Sequence, residues 1–172
     1  MSYRISASSL ALLLAVGLIA CGDDDDASDI CSDRELVPHV SPVVFGELSE
    51  SLIPHEWHLL LHNSCNAEVT IEEACLIGDD ADQFVLEGPE SDVAVRNQDS
   101  VLRLTYERES THSGDDQDDL AIVVQSDAEN APTIVVPVCA RVVSDPDEEA
   151  EMECNSPVEI PAEGERVDGL CS

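Results

Sequence analysis

Short apolar segments separated by turn residues are the feature of this sequence that most limits its fold. Between residues 36 and 143 the apolar runs are brief, many alternate with polar residues, and Pro, Gly, Asn and Asp punctuate them at intervals. A period of two residues predicts half-buried strands, and no segment keeps a helical period beyond a couple of turns. The sequence therefore predicts an all-β fold.

The apolar segments predict seven to eight strands. Residues 69–78 could also form a helix, but the β-branched Val69, Thr70 and Ile71 favour a strand. Short strands in this number, spread over roughly one hundred residues, indicate a β-sandwich of immunoglobulin type. The predicted strands lie near residues 36–45, 56–62, 68–77, 83–87, 91–95, 100–106, 119–125 and 133–142.

The N-terminus predicts export and lipidation. Arg4 precedes an apolar run over residues 10–20, which is too short to span a bilayer and is typical of a signal peptide. The run ends in Leu-Ile-Ala-Cys, which resembles the bacterial lipoprotein box. That resemblance implies cleavage before Cys21, diacylglycerol on its sulfur and acylation of its new amino group. The alternative is an ordinary signal peptide followed by a chance cysteine.

The residue after Cys21 indicates which membrane a lipoprotein of this kind reaches. Gly22 stands where an aspartate favours retention in the inner membrane of enteric bacteria, so the resemblance implies an outer-membrane lipoprotein of a Gram-negative cell. The sequence leaves open which face of that membrane the protein occupies. Residues 1–20 are thus the predicted signal peptide. Residues 21–35, with four consecutive aspartates, are a predicted disordered acidic tether.

The charge balance excludes one class of partner. The chain has 38 acidic residues and seven basic ones, and loss of residues 1–20 would leave a formal charge of −32. Such a surface repels nucleic acid and anionic lipid headgroups, so we exclude nucleic-acid binding. It attracts cations or basic partners, and it keeps an anchored protein well hydrated.

The chain has seven cysteines, and an even set of six remains once Cys21 carries lipid. Six cysteines in an exported chain predict three disulfides, for which fifteen connectivities exist. The first-choice pair is Cys154–Cys171, which would close a loop in the acidic tail, residues 144–172. No C-x-x-C pair is present, so a zinc knuckle is not supported. The disulfide candidates are Cys31, Cys65, Cys75, Cys139, Cys154 and Cys171.

Six elements between residues 36 and 143 resemble, in order, the ASH group of immunoglobulin-like domains, also called choice-of-anchor D in bacterial surface proteins. The first carries a Pro and Phe-Gly signature at Pro42, Phe45 and Gly46. The elements are VSPVVFGEL (40–48), LLLHNSC (59–65) with Asn63, GDDADQFVL (78–86) with Asp82 and Phe84, LRLTYER (102–108), GDDQDDLAIVVQSDAEN (114–130) and TIVVPVCA (133–140).

The resemblance has departures and implications. Tyr106 and Arg108 replace the usual Phe and Pro, while Cys65 and Cys139 stand where small residues are usual, which fits a disulfide-stapled variant. The ASH group has no common catalytic machinery, and we expect no cofactor. It implies an interaction, spacing or display module, with an unknown envelope protein as partner and the sheet edges as natural contact sites.

The stretch HEWHLLLH, residues 55–62, approaches a zinc-protease motif. That motif needs two histidines one turn apart on a helix, but here the first pair is one residue too close. On a strand, His58 and His62 lie about 13 Å apart and cannot share a metal. The strand interpretation places Trp57, Leu59 and Leu61 in the core, and we expect no metal site in this stretch.

Calcium binding or calcium stabilisation is the alternative function. The sequence has two clusters of aspartates, within residues 79–82 and 115–119. Both fall at predicted turns, where Asp is common, and neither has the Gly-and-Glu framework of an EF-hand loop. An enzyme is not expected, because no G-x-S-x-G elbow is present and His112, Ser113 and Asp115 are sequence neighbours in a turn. The calcium candidates are Asp79, Asp80, Asp82, Asp115, Asp116, Asp118 and Asp119.

Overall fold

A computed structural model describes residues 34–65, 67–89, 92–95, 97–108, 117–146 and 151–171. Within these residues the chain forms nine strands and two short 3-10 helices, Glu50–Leu52 and Ala81–Gln83. The strands are β1 (Val37–Pro38), β2 (Val43–Leu48), β3 (His55–His62), β4 (Val69–Ile77), β5 (Phe84–Glu87), β6 (Val93–Ala94), β7 (Asp99–Tyr106), β8 (Gln117–Ser126) and β9 (Thr133–Val142).

The strands form two sheets with the immunoglobulin arrangement. One sheet has the order β1-β3-β7-β5, and the other has the order β2-β9-β8-β4-β6. Strand β2 runs parallel to β9, and every other pair is antiparallel. These orders correspond to the A-B-E-D and G-F-C sheets of immunoglobulin domains, with β2 added beside β9 and β6 added beside β4. The predicted immunoglobulin-like β-sandwich is confirmed.

The predicted strand over residues 36–45 is wrong as a single element. Strand β1 ends at Pro38, β2 begins at Val43, and the two belong to opposite sheets. Val37 pairs with His62, whereas Val43 pairs with Val138. Hydrophobic alternation cannot reveal this change of sheet, because both segments bury their apolar side chains in the same core.

An aromatic cluster fills one end of the core between the sheets. Phe45 lies at the centre of it, with ring centroids 5.9 Å from Trp57, 5.8 Å from Phe84 and 6.0 Å from Tyr106. Leu59 is buried beside this cluster. Alternation along β3 therefore turns its odd-numbered residues inward, which confirms the strand interpretation of HEWHLLLH and its predicted core residues.

Strands β8 and β9 are buried on both faces. Their inner faces contribute to the main core, and their outer faces contribute a second apolar cluster of Ala121, Val123 and Val135. Val158 and Leu170, from the C-terminal tail, pack against this second cluster. The tail thus acts as a third layer, which explains why β8 and β9 have nearly continuous apolar sequences instead of alternating ones.

The start of the described chain and the middle of the C-terminal tail meet at the β8–β9 turn. Arg34 pairs with Asp127 at 2.8 Å, and the Leu36 amide donates to Asn130 Oδ1 at 3.0 Å. The Gly164 amide of the tail donates to the Asn130 carbonyl at 2.6 Å. The predicted signal peptide and most of the predicted tether lie outside the described residues. Across the described part of the chain, no helix is long and apolar enough to cross a membrane.

Candidate functional site

Two disulfides hold the C-terminal tail, and they differ from the predicted pair. Cys139 of β9 bonds to Cys154, and Cys75 of β4 bonds to Cys171. The predicted Cys154–Cys171 bridge is therefore wrong. Each end of the tail is attached to a different strand of the five-stranded sheet, because the tail crosses the apolar outer face of β8 instead of closing on itself.

The third predicted disulfide concerns Cys31 and Cys65. Cys65 is buried, and its Sγ lies 3.4 Å from Glu35 Oε2. Cys31 lies outside the described residues. The sequence left the partners of this third disulfide open, and it stays a prediction.

Hydrogen bonds fix the position of the tail on the sheet along the length of the tail. Gln117 Nε2 donates to the Glu153 carbonyl at 2.7 Å, and Gln125 Nε2 donates to the Val167 carbonyl at 2.9 Å. The Val167 amide in turn donates to Thr133 Oγ1 at 2.9 Å. These polar side chains lie on the outer faces of β8 and β9, so the sheet supplies the partners that an irregular segment otherwise takes from water. Residues 151–171 are consequently part of the packed structure.

A depression of about 550 Å³, with mixed apolar and acidic lining, opens within this tail, and we call it the tail groove. Ile160 is 59% exposed, which is the largest exposure of any large apolar side chain among the described residues. A smaller neighbouring depression of about 260 Å³ continues the surface toward β1. The tail groove is lined by Val158, Glu159, Ile160, Pro161, Ala162, Glu165, Val167 and Leu170.

A buried polar network joins β7 to β8. The Tyr106 hydroxyl donates to Asp118 Oδ2, and Arg108 donates to the same oxygen at 2.9 Å. All three residues are at most 4% exposed. Burial raises the pKa of Tyr106, and the hydrogen bond to Asp118 raises it further, so the phenol stays a neutral donor. The two departures from the ASH pattern, Tyr106 and Arg108, thus form one structural unit.

Asp118 is therefore not available as a calcium ligand. Its carboxylate forms a buried ion pair with Arg108. Asp118 is therefore removed from the calcium candidates. Two other candidates, Asp80 and Asp119, come together, but Asp80 Oδ2 accepts the Asp119 amide at 3.0 Å. Asp119 also accepts two hydrogen bonds from Asn155. Backbone and amide donors already use these oxygens.

The remaining calcium candidates gain no support from geometry. Asp79 and Asp82 lie in the same turn as Asp80, yet among the described residues no three of these carboxylates bring ligand atoms within 4.8 Å of one another. Asp115 and Asp116 lie outside the described residues, as do His112 and Ser113. Calcium binding stays a prediction.

One group of ligating side chains does converge, at the edge of the four-stranded sheet. His62 Nδ1 lies 2.8 Å from Asp99 Oδ1, and His39 Nε2 lies 3.3 Å from the same oxygen. The two imidazole centroids are 5.5 Å apart. We call His39, His62 and Asp99 the histidine cluster. Of the five histidines, sequence reasoning singled out His62 here but not its partner His39.

The strand pairing explains how this cluster forms. His62 pairs directly with Asp99 of β7 and with Val37 of β1. The His39 amide donates to the Leu60 carbonyl at 2.9 Å, which holds His39 beside β3. His58 belongs elsewhere on that face, where it contacts Glu56 at 2.8 Å. Only the register of neighbouring strands could have brought the three cluster residues together from the sequence.

Comparisons with known proteins support the fold alone. The chain matches no protein-family model and no curated protein. It is similar in structure to a protein of unknown function from Porphyromonas gingivalis W83, with a TM-score of 0.51 and 12% identity, covering 63% of this chain and 46% of that one. It is also similar to the periplasmic chaperone SfaE, with a TM-score of 0.50 and 14% identity. That match covers 67% of this chain and 62% of the chaperone, so this chain spans less than two thirds of either protein.

Proposed function

We propose that this chain is a non-enzymatic, lipid-anchored protein of the cell envelope whose sandwich acts as a protein-interaction module. The observation that carries the proposal is the tail groove, a depression with six apolar and two acidic lining residues on a strongly acidic chain. Two disulfides and a hydrogen-bond register hold the backbone that forms it. A surface that is preformed in this way loses little conformational entropy when a partner binds.

The composition of the tail groove indicates the chemistry of its partner. Its apolar lining residues include Val158 and Leu170, which also pack on the outer face of the sheet, and the exposed Ile160. Its lining includes Glu159 and Glu165, and Glu163 lines the adjoining depression. A basic segment with at least one apolar side chain complements both features, since the acidic surface steers its approach and the apolar side chain is buried on contact.

The sheet edges are weaker contact surfaces than the sequence suggested. Strands β1 and β6, at two of the edges, contain only two residues each. Strand β2, at a third edge, is interrupted by a register shift next to Gly46, and the Cys154 sulfur lies against its Val43 carbonyl. Short or irregular edges discourage strand addition. Strand β5 is the remaining edge and serves as a comparison surface for experiments.

Replacement of Ile160 by Asp should abolish partner capture. A charge at this exposed apolar side chain makes burial against a partner unfavourable, while folding is unaffected because the residue faces solvent. The measurement is quantitative cross-linking and affinity capture of the full chain from envelope extract, compared between wild type and variant. The matched controls are Leu52→Asp and Val85→Asp, two exposed apolar residues away from the tail groove, the second of them on β5.

The controls give each outcome a meaning. Loss of the partner in Ile160→Asp with retention in both controls supports the tail groove. Loss in Val85→Asp alone would assign binding to the β5 edge, and equal capture by all four proteins would contradict the proposed surface.

Replacement of Cys21 by Ala should release the protein from the membrane fraction. The proposed anchor is thioether-linked diacylglycerol on that sulfur, and several acyl chains hold a protein far more firmly than one. The measurement is fractionation of cells that express the wild-type chain or the variant, with Cys31→Ala as the matched control. Continued tight membrane association of the Cys21 variant would refute the anchor while leaving the tail groove untested by that experiment.

A further inference from the structure

The geometry points to a divalent transition-metal site at the histidine cluster, of the kind that binds Zn²⁺. The site is formed by His39, His62 and Asp99, and it is separate from the tail groove. Two imidazoles and one carboxylate are a common ligand set for zinc, and three protein ligands leave a further coordination position for water or a partner group.

The distances suit a single ion. Zinc bonds to imidazole nitrogen and carboxylate oxygen at about 2.0–2.1 Å, so neighbouring ligand atoms of a tetrahedral site lie about 3.3 Å apart. His39 Nε2 lies 3.3 Å from Asp99 Oδ1. His62 Nδ1 lies 2.8 Å from that oxygen, so a small rotation of one exposed side chain opens this pair to the required separation. All three ligand atoms fall within 4.8 Å of one another.

The scaffold presents two of the three side chains on regular strands. His62 and Asp99 are cross-strand partners at the end of the long β3–β7 ladder, and the His39 amide is hydrogen-bonded to β3. Sites placed on strands hold their ligands in more reproducible positions than sites placed on loops. In the part of the chain that the structure describes, this is the one group of three ligating residues that converges so closely.

The chemistry of the ligands separates this site from the acidic clusters. Calcium and magnesium prefer oxygen ligands, whereas imidazole nitrogen selects zinc and its transition-metal neighbours. The high negative charge of the chain raises the local concentration of every cation, but it does not discriminate among them. We therefore expect the histidine cluster to bind Zn²⁺ in preference to Ca²⁺.

The test is a Zn²⁺ titration of the purified full chain against a chromophoric chelator, in the presence of millimolar Ca²⁺. We expect one tightly bound Zn²⁺ per chain and, in His39→Ala, His62→Ala and Asp99→Asn, an affinity at least about tenfold lower. The matched control is His58→Ala, which removes an exposed histidine from the same strand and the same face. Its affinity should equal that of the wild type.

A second measurement identifies the ligands directly. Ni²⁺ should broaden the imidazole NMR signals of His39 and His62 before those of His58, and circular dichroism should show that each variant remains folded. Equal affinity in wild type and the cluster variants, displacement of Zn²⁺ by millimolar Ca²⁺, or an affinity loss in His58→Ala as large as that in His62→Ala would each overturn the assignment.

Discussion

Replacement of Asp118 by Ala should lower the free energy of unfolding by about 3–5 kcal/mol. Asp118 is 4% exposed and accepts hydrogen bonds from both Tyr106 and Arg108. Its removal leaves the Arg108 guanidinium without its buried ion-pair partner and the Tyr106 hydroxyl without that acceptor. The loss measures the cost of the uncompensated charge, which exceeds the net contribution of an intact pair.

Chemical denaturation followed by tryptophan fluorescence measures this effect, because Trp57 packs against the core. Glu87→Ala is the matched control, since its ion pair with Arg103 is largely exposed and should contribute less than about 1 kcal/mol. Replacement of both charged partners, by Arg108→Met with Asp118→Leu, should recover much of the loss. Equal unfolding midpoints for Asp118→Ala and Glu87→Ala would show that the buried network is not a stabilising unit.

Loss of the Cys75–Cys171 disulfide should be the second large effect. The bridge spans 96 residues, and closing a loop of that length stabilises a fold by up to roughly 4.7 kcal/mol in the chain-entropy account, within a usual range of about 2–5 kcal/mol. The double variant Cys75→Ala with Cys171→Ala avoids an unpaired thiol. We expect a lower unfolding midpoint together with release of the end of the tail, because Leu170 then loses its attachment to the sheet.

Limited proteolysis and non-reducing peptide mapping measure this result. Cleavage in the double variant should appear within residues 151–171, which the wild type protects. The variant Cys139→Ala with Cys154→Ala is the matched control, because it opens a loop of only 15 residues and should cost about 3 kcal/mol. A Cys154–Cys171 peptide in the wild-type map would contradict the connectivity that the structure shows.

The fold was largely predictable because each strand carries a local signal. Alternation placed Trp57, Leu59 and Leu61 on the inner face of β3, and it located the other main strands to within a few residues. The exception was the segment before β2, where the chain changes sheets. The two segments bury side chains in one core, so their hydrophobic pattern does not record the change.

The candidate sites were less predictable because they depend on contacts between distant segments. Cys154 and Cys171 look like a local pair in a polar tail, and only the apolar outer faces of β8 and β9 indicate that the tail needs a sheet beneath it. Likewise, His39 and Asp99 become neighbours of His62 only through the strand register. Long-range pairing of this kind leaves no periodic trace in the sequence.

The meeting of the N-terminal segment and the C-terminal tail at the β8–β9 turn would, with the proposed lipid anchor, limit where the protein can act. Asn130 hydrogen-bonds both Leu36, near the start of the described chain, and Gly164 of the tail. With lipid on Cys21, the thirteen residues to Arg34 form a leash of at most about 45 Å when fully extended. With that anchor, the tail groove would lie at the tethered end of the domain and would stay within a short distance of the bilayer surface. If the proposed anchor holds, a partner would have to reside at that membrane or pass close to its surface, and a longer tether should enlarge the set of partners within reach.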